Sequence, residues 1–600
     1  MNSIRNQIAQ RVREATRRIG AEGDPLVRPA QDEKFGDYQS NCAMGLAKRL
    51  GKKPRDVATA IVDALEIEDM CEKPDIAGPG FINFKLKPEY LAGCLESIPA
   101  PSEAGGDRLG ISPAANPQVI VLDISSPNLA KEMHVGHLRS TVIGDCLARV
   151  LEFEGHTVHR ENHVGDWGTQ FGMLVAHLRR VDPDVVRHPE ELVISDLESF
   201  YVDAKSRFDT DDEFKTESRE TVVALQQGDE TTRRIWRAFC DESLRHCHAI
   251  YDRLDVKLVD RGESFYADRM EDVIRRLESM TTAGDKGLVR ISDGALCVFM
   301  EGFKTREGDP LPMIVRKSDG GYNYATSDLA TILHRVEELG ASRILYVVGI
   351  GQKQHFDMLF AAVRALGWAK DDASLLHIGF GNMLAASGKP FKTREGGTVK
   401  LKDLLDEAVQ RAREVVSPPD DDQPGERDRQ FDKAQVAQIA ETVGLAAMKY
   451  FDLSHSLSSD YKFDLGTMLS LEGNTAPYML YAYARIRSIG RKAGVEFDDL
   501  PRSEEILLEH PAEIALAKRL LQFAEVLDDL SRELRPNVMT DYLYSLAKAF
   551  SRFYDKKLGV RVIDASPEDV RLSRLHLCEL TARTLKLGLS LLGIKTLEEM

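Results

Sequence analysis

Two histidines and a glycine stand where a phosphate-binding site could form. His134 and His137 flank Gly136 in the segment SPNLAKEMHVGHLRST, between a strand-like run and a helix-like run. The N-terminus of a helix offers free N–H groups and the positive end of its dipole, so anions bind there. Two imidazoles can bond triphosphate oxygens that gain charge, and a glycine lets a nucleotide base approach the backbone. The pattern predicts a site that positions ATP; histidines in a loop are otherwise typical of helix caps or solvated side chains.

Acidic residues stand near the ends of predicted strands in the same part of the chain. Asp123 ends an apolar run, QVIVLDIS, and Asp328 is expected to open the helix that follows YNYAT, just after Tyr324. Ligands of parallel α/β sheets bind at the carboxyl ends of the strands. Several acids at that edge would form a negative pocket that needs a cation. Each acid taken alone could equally be a helix cap or part of a surface ion pair.

The elements that position these residues fall into three regions. Residues 1–110 are predicted to form an α+β domain that begins with an amphipathic helix, and a Gly-, Ser-, Pro- and Ala-rich stretch follows them. Residues 111–465 predict a doubly wound, Rossmann-type α/β domain with helical insertions, because strand-like and helix-like runs alternate there. Residues 466–600 show helical periodicity alone and predict an all-α bundle.

Three segments carry the prediction of the α/β domain. The first strand is QVIVLDIS, and two further strand-then-helix pairs are predicted at GYNYATSDLATILHRV and at RILYVVGIGQKQHFDMLFAAVRALG. From Phe431 onward no strand is predicted.

Composition narrows the class of protein. The 600 residues carry a formal net charge of −17, which argues against indiscriminate nucleic-acid coating but leaves room for local basic patches. No apolar run approaches the length of a membrane span, so we expect a protein that uses no membrane and works in the cytoplasm. None of the eight cysteines forms a C-x-x-C pair, so neither structural zinc nor a disulfide framework is expected.

The motif around His134 resembles the first signature of class I aminoacyl-tRNA synthetases, and SPN followed by AK resembles the arginyl-tRNA synthetase family in particular. Further segments resemble that family in the same order along nearly the whole chain: FGDYQSNCAMGLAK, IAGPGFINF, ENHVGDWGTQFGML, GESFY, YATSDLA, GIGQKQHFDM, GKPFKTREGGTV and YAYARIRSI.

The resemblance implies three sets of site residues. Arginine would be held by Asp123, Asn128, Glu263, Tyr324, Asp328 and Gln352. ATP would be bound by His134, Gly136, His137, Gly165, Asp166, Gly349 and His355. The usual lysine-rich second signature is replaced by SGKPFKTREGG, so the leaving pyrophosphate would depend on one or more of Lys131, Lys389, Lys392 and Arg394.

The implied function is ATP-dependent ligation of arginine to its transfer RNA through an adenylate, with transfer to the 2′-hydroxyl of the terminal adenosine. Mg²⁺ would accompany ATP, and no protein metal site is expected. The N-terminal domain would contact transfer RNA, the helical domain would bind the anticodon, and the protein would be monomeric. The alternatives are another class I synthetase, such as the cysteine enzyme, and an RNA-binding paralogue without catalytic activity.

Overall fold

The computed structural model describes residues 3–101, 106–281, 287–389, 391, 399–416, 431–497, 500 and 505–600. The chain forms two compact units: the first combines Met1–Pro113 with Ser470–Met600, and the second is Ala114–Leu469. The predicted fold class is confirmed, since the chain contains an α+β segment, a Rossmann-type α/β domain and a helical C-terminal segment. Among the described helices, none has both the length and the apolar character needed to cross a membrane.

The chain begins with the α+β part of the first unit. Ser3 caps the first helix by accepting a hydrogen bond from the Asn6 N–H at 3.2 Å. The elements are α1 (Ile4–Arg18), β1 (Val27–Pro29), β2 (Tyr38–Ser40), α2 (Cys42–Leu50), α3 (Pro54–Asp63), β3 (Asp75–Ala77), β4 (Phe81–Phe84) and α4 (Pro88–Glu96). The strands form an antiparallel sheet in the order β1-β2-β4-β3. The apolar face of α1 is buried, as its helical spacing predicts: Ile4, Ile8, Val12 and Ala15.

A parallel sheet is the centre of the second unit. The strands of the whole unit are β5 (Val119–Asp123), β6 (Thr157–Asn162), β7 (Val259–Asp260), β8 (Val289–Ser292), β9 (Ala295–Lys304), β10 (Pro310–Arg316), β11 (Arg343–Gly349), β12 (Ser374–Phe380), β13 (Met383–Leu384) and β14 (Tyr461–Lys462). Five of them form the parallel sheet β12-β11-β5-β6-β7. Strand order reverses between β5 and β11, and such a switch point is where doubly wound sheets bind ligands.

Helices accompany this sheet and extend it. They are α5 (Val135–Phe153), α6 (Thr169–Val181), α7 (Leu197–Thr210), α8 (Asp212–Gln227), α9 (Glu230–Arg253), α10 (Ala267–Ser279), α11 (Tyr324–Leu333), α12 (Lys353–Ala365), α13 (Leu401–Val416), α14 (Lys433–Leu453) and α15 (Leu465–Met468). The helices α7 to α9 form the predicted helical insertion. A second insertion, β8 to β10, is an antiparallel sheet that shares one apolar core with α10, α11 and α12.

Two strand predictions in this unit were wrong. The segment GYNYAT contributes only an isolated bridge between Tyr322 and Arg316, because Asn323 caps a helix that already begins at Tyr324. The aromatic residues favoured a strand locally, but the cap determines the conformation. Beyond Phe431, β14 pairs with β13 over two residues, which is too short to give a sequence pattern.

The first unit is completed by helices from the C-terminal segment. They are α16 (Ala476–Lys492), α17 (Pro511–Leu521), α18 (Phe523–Glu533), α19 (Asn537–Phe553) and α20 (Glu568–Leu591). Side chains of the N-terminal segment bond to these helices. Tyr38 donates a hydrogen bond to the buried Glu525 at 2.7 Å, and Arg5 forms an ion pair with Asp529 at 2.8 Å. The two ends of the chain therefore share one packed unit.

Candidate active site

The histidines of the first signature lie at the N-terminus of α5. His134 is the N-cap residue, and its Nδ1 accepts a hydrogen bond from the Gly136 N–H at 3.0 Å. His137 Nδ1 accepts one from the His134 N–H, also at 3.0 Å. Because each Nδ1 is an acceptor, each neutral ring carries its proton on Nε2. The cap therefore fixes the tautomer that presents two Nε2–H donors.

Both rings are held neutral. Burial and the neighbouring His134 lower the pKa of His137 to about 3. Burial, together with the charge of Lys131, also lowers the pKa of His134. A Cβ at Gly136 would lie 2.8 Å from His134 Cε1, so a larger residue would displace the ring. The arrangement suits phosphate oxygens, which accept hydrogen bonds from neutral donors without a charged ring being needed.

Three carboxyl groups, Asp166, Glu263 and Asp328, form what we call the acidic cluster. The Asp166 side chain holds the turn that carries Glu263, since it accepts hydrogen bonds from Ser264 N–H at 2.8 Å and Ser264 Oγ–H at 2.5 Å. A Cβ at Gly262 would lie 2.0 Å from Asp166 Oδ2, so only glycine fits there. Burial, with the charges of Asp166 and Asp328, raises the pKa of Glu263 to about 7. A bound cation would stabilise the ionised cluster.

Tyr324 and Asp328 lie in the first turns of α11. Tyr324 is the first helical residue and is 63% exposed. Asn323 is the N-cap, so Asp328 lies one turn inside the helix and does not open it. Asp328 Oδ2 is 2.8 Å from His355 Nε2, and the ring centroids of Tyr324 and His355 are 5.1 Å apart. Gln352 is exposed immediately before α12. These four side chains thus belong to adjacent helix starts, and His355 contacts the residues expected to bind arginine.

Asn128 and Gly165 lie opposite each other in an isolated parallel bridge. The Gly165 N–H donates to the Pro127 carbonyl at 3.0 Å, and a Cβ at Gly165 would lie 3.4 Å from Asn128 Nδ2. Asn128 is exposed, and Gly349 is the last residue of β11. Asn128 follows the end of β5, and Gly165 follows the end of β6. Both residues and Gly349 therefore lie at the carboxyl edge of the parallel sheet, next to the switch point.

Asp123 has partners within the protein. It is 5% exposed, and its two oxygens accept hydrogen bonds from Arg335 Nη2 and Ser126 Oγ, each at 2.7 Å. The role of Asp123 as a direct arginine ligand stays a prediction. Sequence reasoning missed Arg335, although an arginine within the apolar helical run ATILHRV is the kind of residue that requires a buried carboxylate partner.

The cationic residues near the first signature are only partly described. Lys131 Nζ lies 4.2 Å from the centre of the Tyr201 ring, and the Lys389 carbonyl accepts a hydrogen bond from the Ala385 N–H at 2.8 Å. The predicted residues Lys392 and Arg394 lie outside the described residues. Just beyond them, Lys400 pairs with His134 in an antiparallel bridge, and Lys400 Nζ bonds Asp196 at 2.9 Å. Lys400, which follows the second-signature segment in the sequence, thus pairs with the backbone of the first signature.

No group of three or more His, Cys, Asp or Glu side chains is placed to hold a metal ion within the part of the chain that the structure describes.

Comparisons with known proteins agree across the whole chain. Residues 106–465 match the family model of the class I tRNA synthetase (R) catalytic domain, residues 479–600 match the DALR anticodon binding domain, and residues 2–86 match the arginyl tRNA synthetase N-terminal domain. The chain is 50% identical to an arginine–tRNA ligase of Nostoc sp. and 49% identical to one of Picosynechococcus sp., with 100% of each chain covered.

Solved structures give the same result. The chain is similar to the arginyl-tRNA synthetase of Plasmodium falciparum, with a TM-score of 0.85 and 31% identity, and to that of Thermus thermophilus, with a TM-score of 0.80 and 25% identity. Each comparison covers 100% of both chains.

Proposed function

The chain belongs to the arginyl-tRNA synthetase family of class I tRNA synthetases, and from this premise we propose how its residues perform the reaction. Its activity is the ATP-dependent attachment of arginine to transfer RNA. The proposal concerns the residues that bind each substrate, the order of the chemical steps and the conditions under which the protein works.

Glu263 and Asp328 of the acidic cluster bind the guanidinium group of arginine. The observation that carries this assignment is the position of Glu263, which lies partly buried near Asp328 on a turn that Asp166 fixes. Burial, with the charges of Asp166 and Asp328, raises the pKa of Glu263 to about 7, so a bound cation would stabilise its ionised form. A guanidinium is always charged and presents a planar fork of donors that matches carboxylate oxygens. Tyr324 and Asp328 approach the fork from α11, while Asn128 and Gln352 supply polar groups for the rest of the substrate.

Activation of arginine follows from placing its carboxylate beside the α-phosphorus of ATP. The carboxylate oxygen forms a bond to the α-phosphorus, the bond to the bridging oxygen breaks, and pyrophosphate leaves with that electron pair. The Nε2–H groups of His134 and His137 donate to phosphate oxygens as charge develops, and no side chain forms a covalent bond. ATP contacts are completed by Gly136, Gly165, Asp166, Gly349 and His355.

Transfer follows on the same site. The 2′-hydroxyl of the terminal adenosine attacks the carbonyl carbon of the arginyl-adenylate, loses its proton, and AMP leaves. Mg²⁺ reaches the site with ATP, because polyphosphate oxygens are its preferred ligands. Lys131 stabilises the departing pyrophosphate together with residues of the second-signature segment, among them Lys389, Lys392 and Arg394.

The remaining regions recognise the transfer RNA. We assign residues 1–110 to a domain that contacts transfer RNA, residues 111–465 to catalysis and residues 466–600 to anticodon binding, in line with the matched family models. The protein works as a monomer in the cytoplasm. Eight free cysteines, most of them buried, fit a reducing compartment.

One assay tests this function. ATP–pyrophosphate exchange, run with each of the twenty amino acids in the presence of transfer RNA, should respond to arginine alone. Exchange with another amino acid would identify a different class I synthetase. A folded protein that binds transfer RNA without exchange or aminoacylation would be an RNA-binding paralogue.

A further inference from the structure

A buried arginine joins two strands at the carboxyl edge of the sheet. Arg335 is 0% exposed; its Nε donates to Glu161 Oε2 and its Nη2 to Asp123 Oδ2, both at 2.7 Å. Asp123 and Glu161 face each other in the register of β5 and β6. Burial alone would raise the pKa of Asp123, but the Arg335 guanidinium more than offsets this, and the pKa is lowered. Asp123 is thus a charged partner of the internal guanidinium, which also donates to Glu161.

Asp123 transmits this restraint to a strained turn. Its second oxygen accepts a hydrogen bond from Ser126 Oγ at 2.7 Å. Ser125 and Ser126 have φ angles of 69° and 53°, in the left-handed region that L residues rarely adopt. Such a conformation persists only where surrounding contacts impose it. The Ser126 N–H also donates to Asn162 Oδ1 at 3.0 Å, so both the backbone and the side chain of the turn are fixed.

The other end of the same contact lies in the helix that carries two of the proposed arginine-binding residues. Arg335 belongs to a π-helical turn, His334–Glu338, that continues α11. The first turns of α11 carry Tyr324 and Asp328. π-Helical turns occur frequently at functional sites. One side chain therefore connects the element that carries Asp328 to the turn that leads into Asn128.

We propose that Arg335 is a positioning residue which, through Asp123 and Ser126, keeps Asn128 in register with Tyr324 and Asp328. In this proposal Asp123 acts through Arg335 and the turn, which replaces its predicted role as a direct arginine ligand. The inference rests on arginine being the substrate of the acidic cluster, as proposed above. It assigns a function to an internal guanidinium, which pairs with Asp123 and Glu161 inside the protein.

The test compares two arginine-to-lysine substitutions. Arg335→Lys keeps the charge but loses the fork that reaches both Asp123 and Glu161. Arg269→Lys is the matched control, because Arg269 pairs with Glu338 in the same π-helical turn, whereas Asp123 and Glu161 pair with Arg335. We expect Arg335→Lys to raise the Kd for L-arginine about tenfold, measured by titration calorimetry, with the Kd for ATP within about twofold of wild type. The control should change neither.

A second substitution tests the route through the turn. Ser126→Ala removes the hydroxyl donor to Asp123 and keeps the side-chain volume small. If both changes break one chain of contacts, the Arg335→Lys/Ser126→Ala double variant should bind L-arginine about as weakly as the worse single variant. The proposal would be overturned if the losses of L-arginine affinity in the double variant were additive. It would also be overturned if Arg335→Lys lost L-arginine and ATP affinity equally, or if its Kd for L-arginine were unchanged. Failure of the proposed function itself would appear differently, as wild-type protein that does not bind L-arginine.

Discussion

Glu263 shows how a buried environment can suit a carboxyl group to one kind of ligand. Its burial is unfavourable to the ionised form, and Asp166 and Asp328 add to that cost, so the pKa rises to about 7. A guanidinium placed among the three groups would reverse the effect by stabilising their negative charge. The empty pocket and the occupied pocket should therefore differ in protonation.

This difference predicts a pH-dependent arginine affinity. Binding requires ionised Glu263, so below pH 7 each binding event must also release a proton. We expect the Kd for arginine to fall about tenfold between pH 6 and pH 8, with about half a proton released per arginine at pH 7. Titration calorimetry in buffers of different ionisation enthalpy measures both quantities. A pH-independent Kd would show that Glu263 does not contact the guanidinium.

Glu263→Gln is the matched variant for that measurement. It should bind arginine weakly, without proton release from this position. The folded-state pKa lies above the ordinary value of 4.5, so the empty protein loses stability as the pH rises from about 4.5 to about 7, and the loss is complete above that range. The variant should therefore have a higher melting temperature than wild type at pH 8, while the two should converge near pH 4.

His137 should stabilise the transition state of adenylate formation more than it stabilises bound substrate. Its Nε2–H is fixed by the cap and its pKa is about 3, so the ring stays neutral throughout the working pH range. We expect His137→Asn to lower the single-turnover rate of adenylate formation about 10²-fold while arginine affinity stays nearly unchanged. His188→Asn, at an exposed histidine of the insertion, is the control. A loss of arginine affinity with unchanged chemistry would contradict the assignment.

The sequence predicted residues of the site better than their partners. The histidine motif follows a strand and begins a helix, so its position could be derived locally. The partner of Asp123 could not, because Arg335 lies 212 residues further along the chain. Gly262 was also missed, since the requirement for glycine there depends on Asp166 approaching from another loop. Such long-range contacts leave no spacing pattern in one sequence.

Among the elements, β5 and α5 were the most predictable. A continuous apolar run followed by a helical face identifies a buried parallel strand and its crossover. The strand expected before α11 failed, because one capping asparagine outweighed the β-favouring tyrosines around it. The antiparallel sheet β8 to β10 was not predicted, since its strands pack on a core contributed by distant helices.

The entrance to α5 is held by two segments that are distant in sequence. Besides the bridge between His134 and Lys400, the Leu401 N–H donates to the Met133 carbonyl at 2.9 Å. A movement of Lys400 and Leu401 would therefore be transmitted to the backbone of the first signature. We expect bound transfer RNA to act on the site through this contact.

Lys131 is expected to supply the main charge for pyrophosphate departure. It precedes His134 closely enough to affect its pKa, whereas Lys389 belongs to a separate turn. We expect negligible arginine-dependent pyrophosphate exchange without transfer RNA. With transfer RNA, Lys131→Ala should remove most of the exchange and Lys389→Ala should cost less. Equal losses would place the working charge in the later segment, and rapid exchange without transfer RNA would exclude the coupling through α5.

At the scale of the whole molecule, the two chain ends form one unit. Tyr38 and the Arg5 N–H both donate to Glu525 Oε1, and Lys518 Nζ pairs with Asp37 at 2.6 Å. Glu525 is 3% exposed. The basic first helix is also partly neutralised within the unit, since Arg11 and Arg18 pair with acids of the same segment.

Removal of the first 113 residues should therefore do two things that can be separated. It should leave the second unit, Ala114–Leu469, with its own cooperative unfolding transition, but destabilise the C-terminal helices by removing the donors to Glu525. Calorimetry should show the transition of the C-terminal helices at a lower temperature. Transfer-RNA affinity, measured by filter binding over a salt series, should fall as well.

Two full-length variants decide which effect weakens RNA binding. Tyr38→Phe removes only the hydroxyl donor to Glu525, and it should lower stability by about 1 kcal/mol without changing the salt dependence of transfer-RNA binding. Arg13→Gln with Arg17→Gln neutralises exposed positions of α1, and it should reduce the salt slope while the melting temperature is kept. If the arginine variant binds transfer RNA with an unchanged slope, α1 contacts no phosphate, and the truncation acts only through the C-terminal helices that it destabilises.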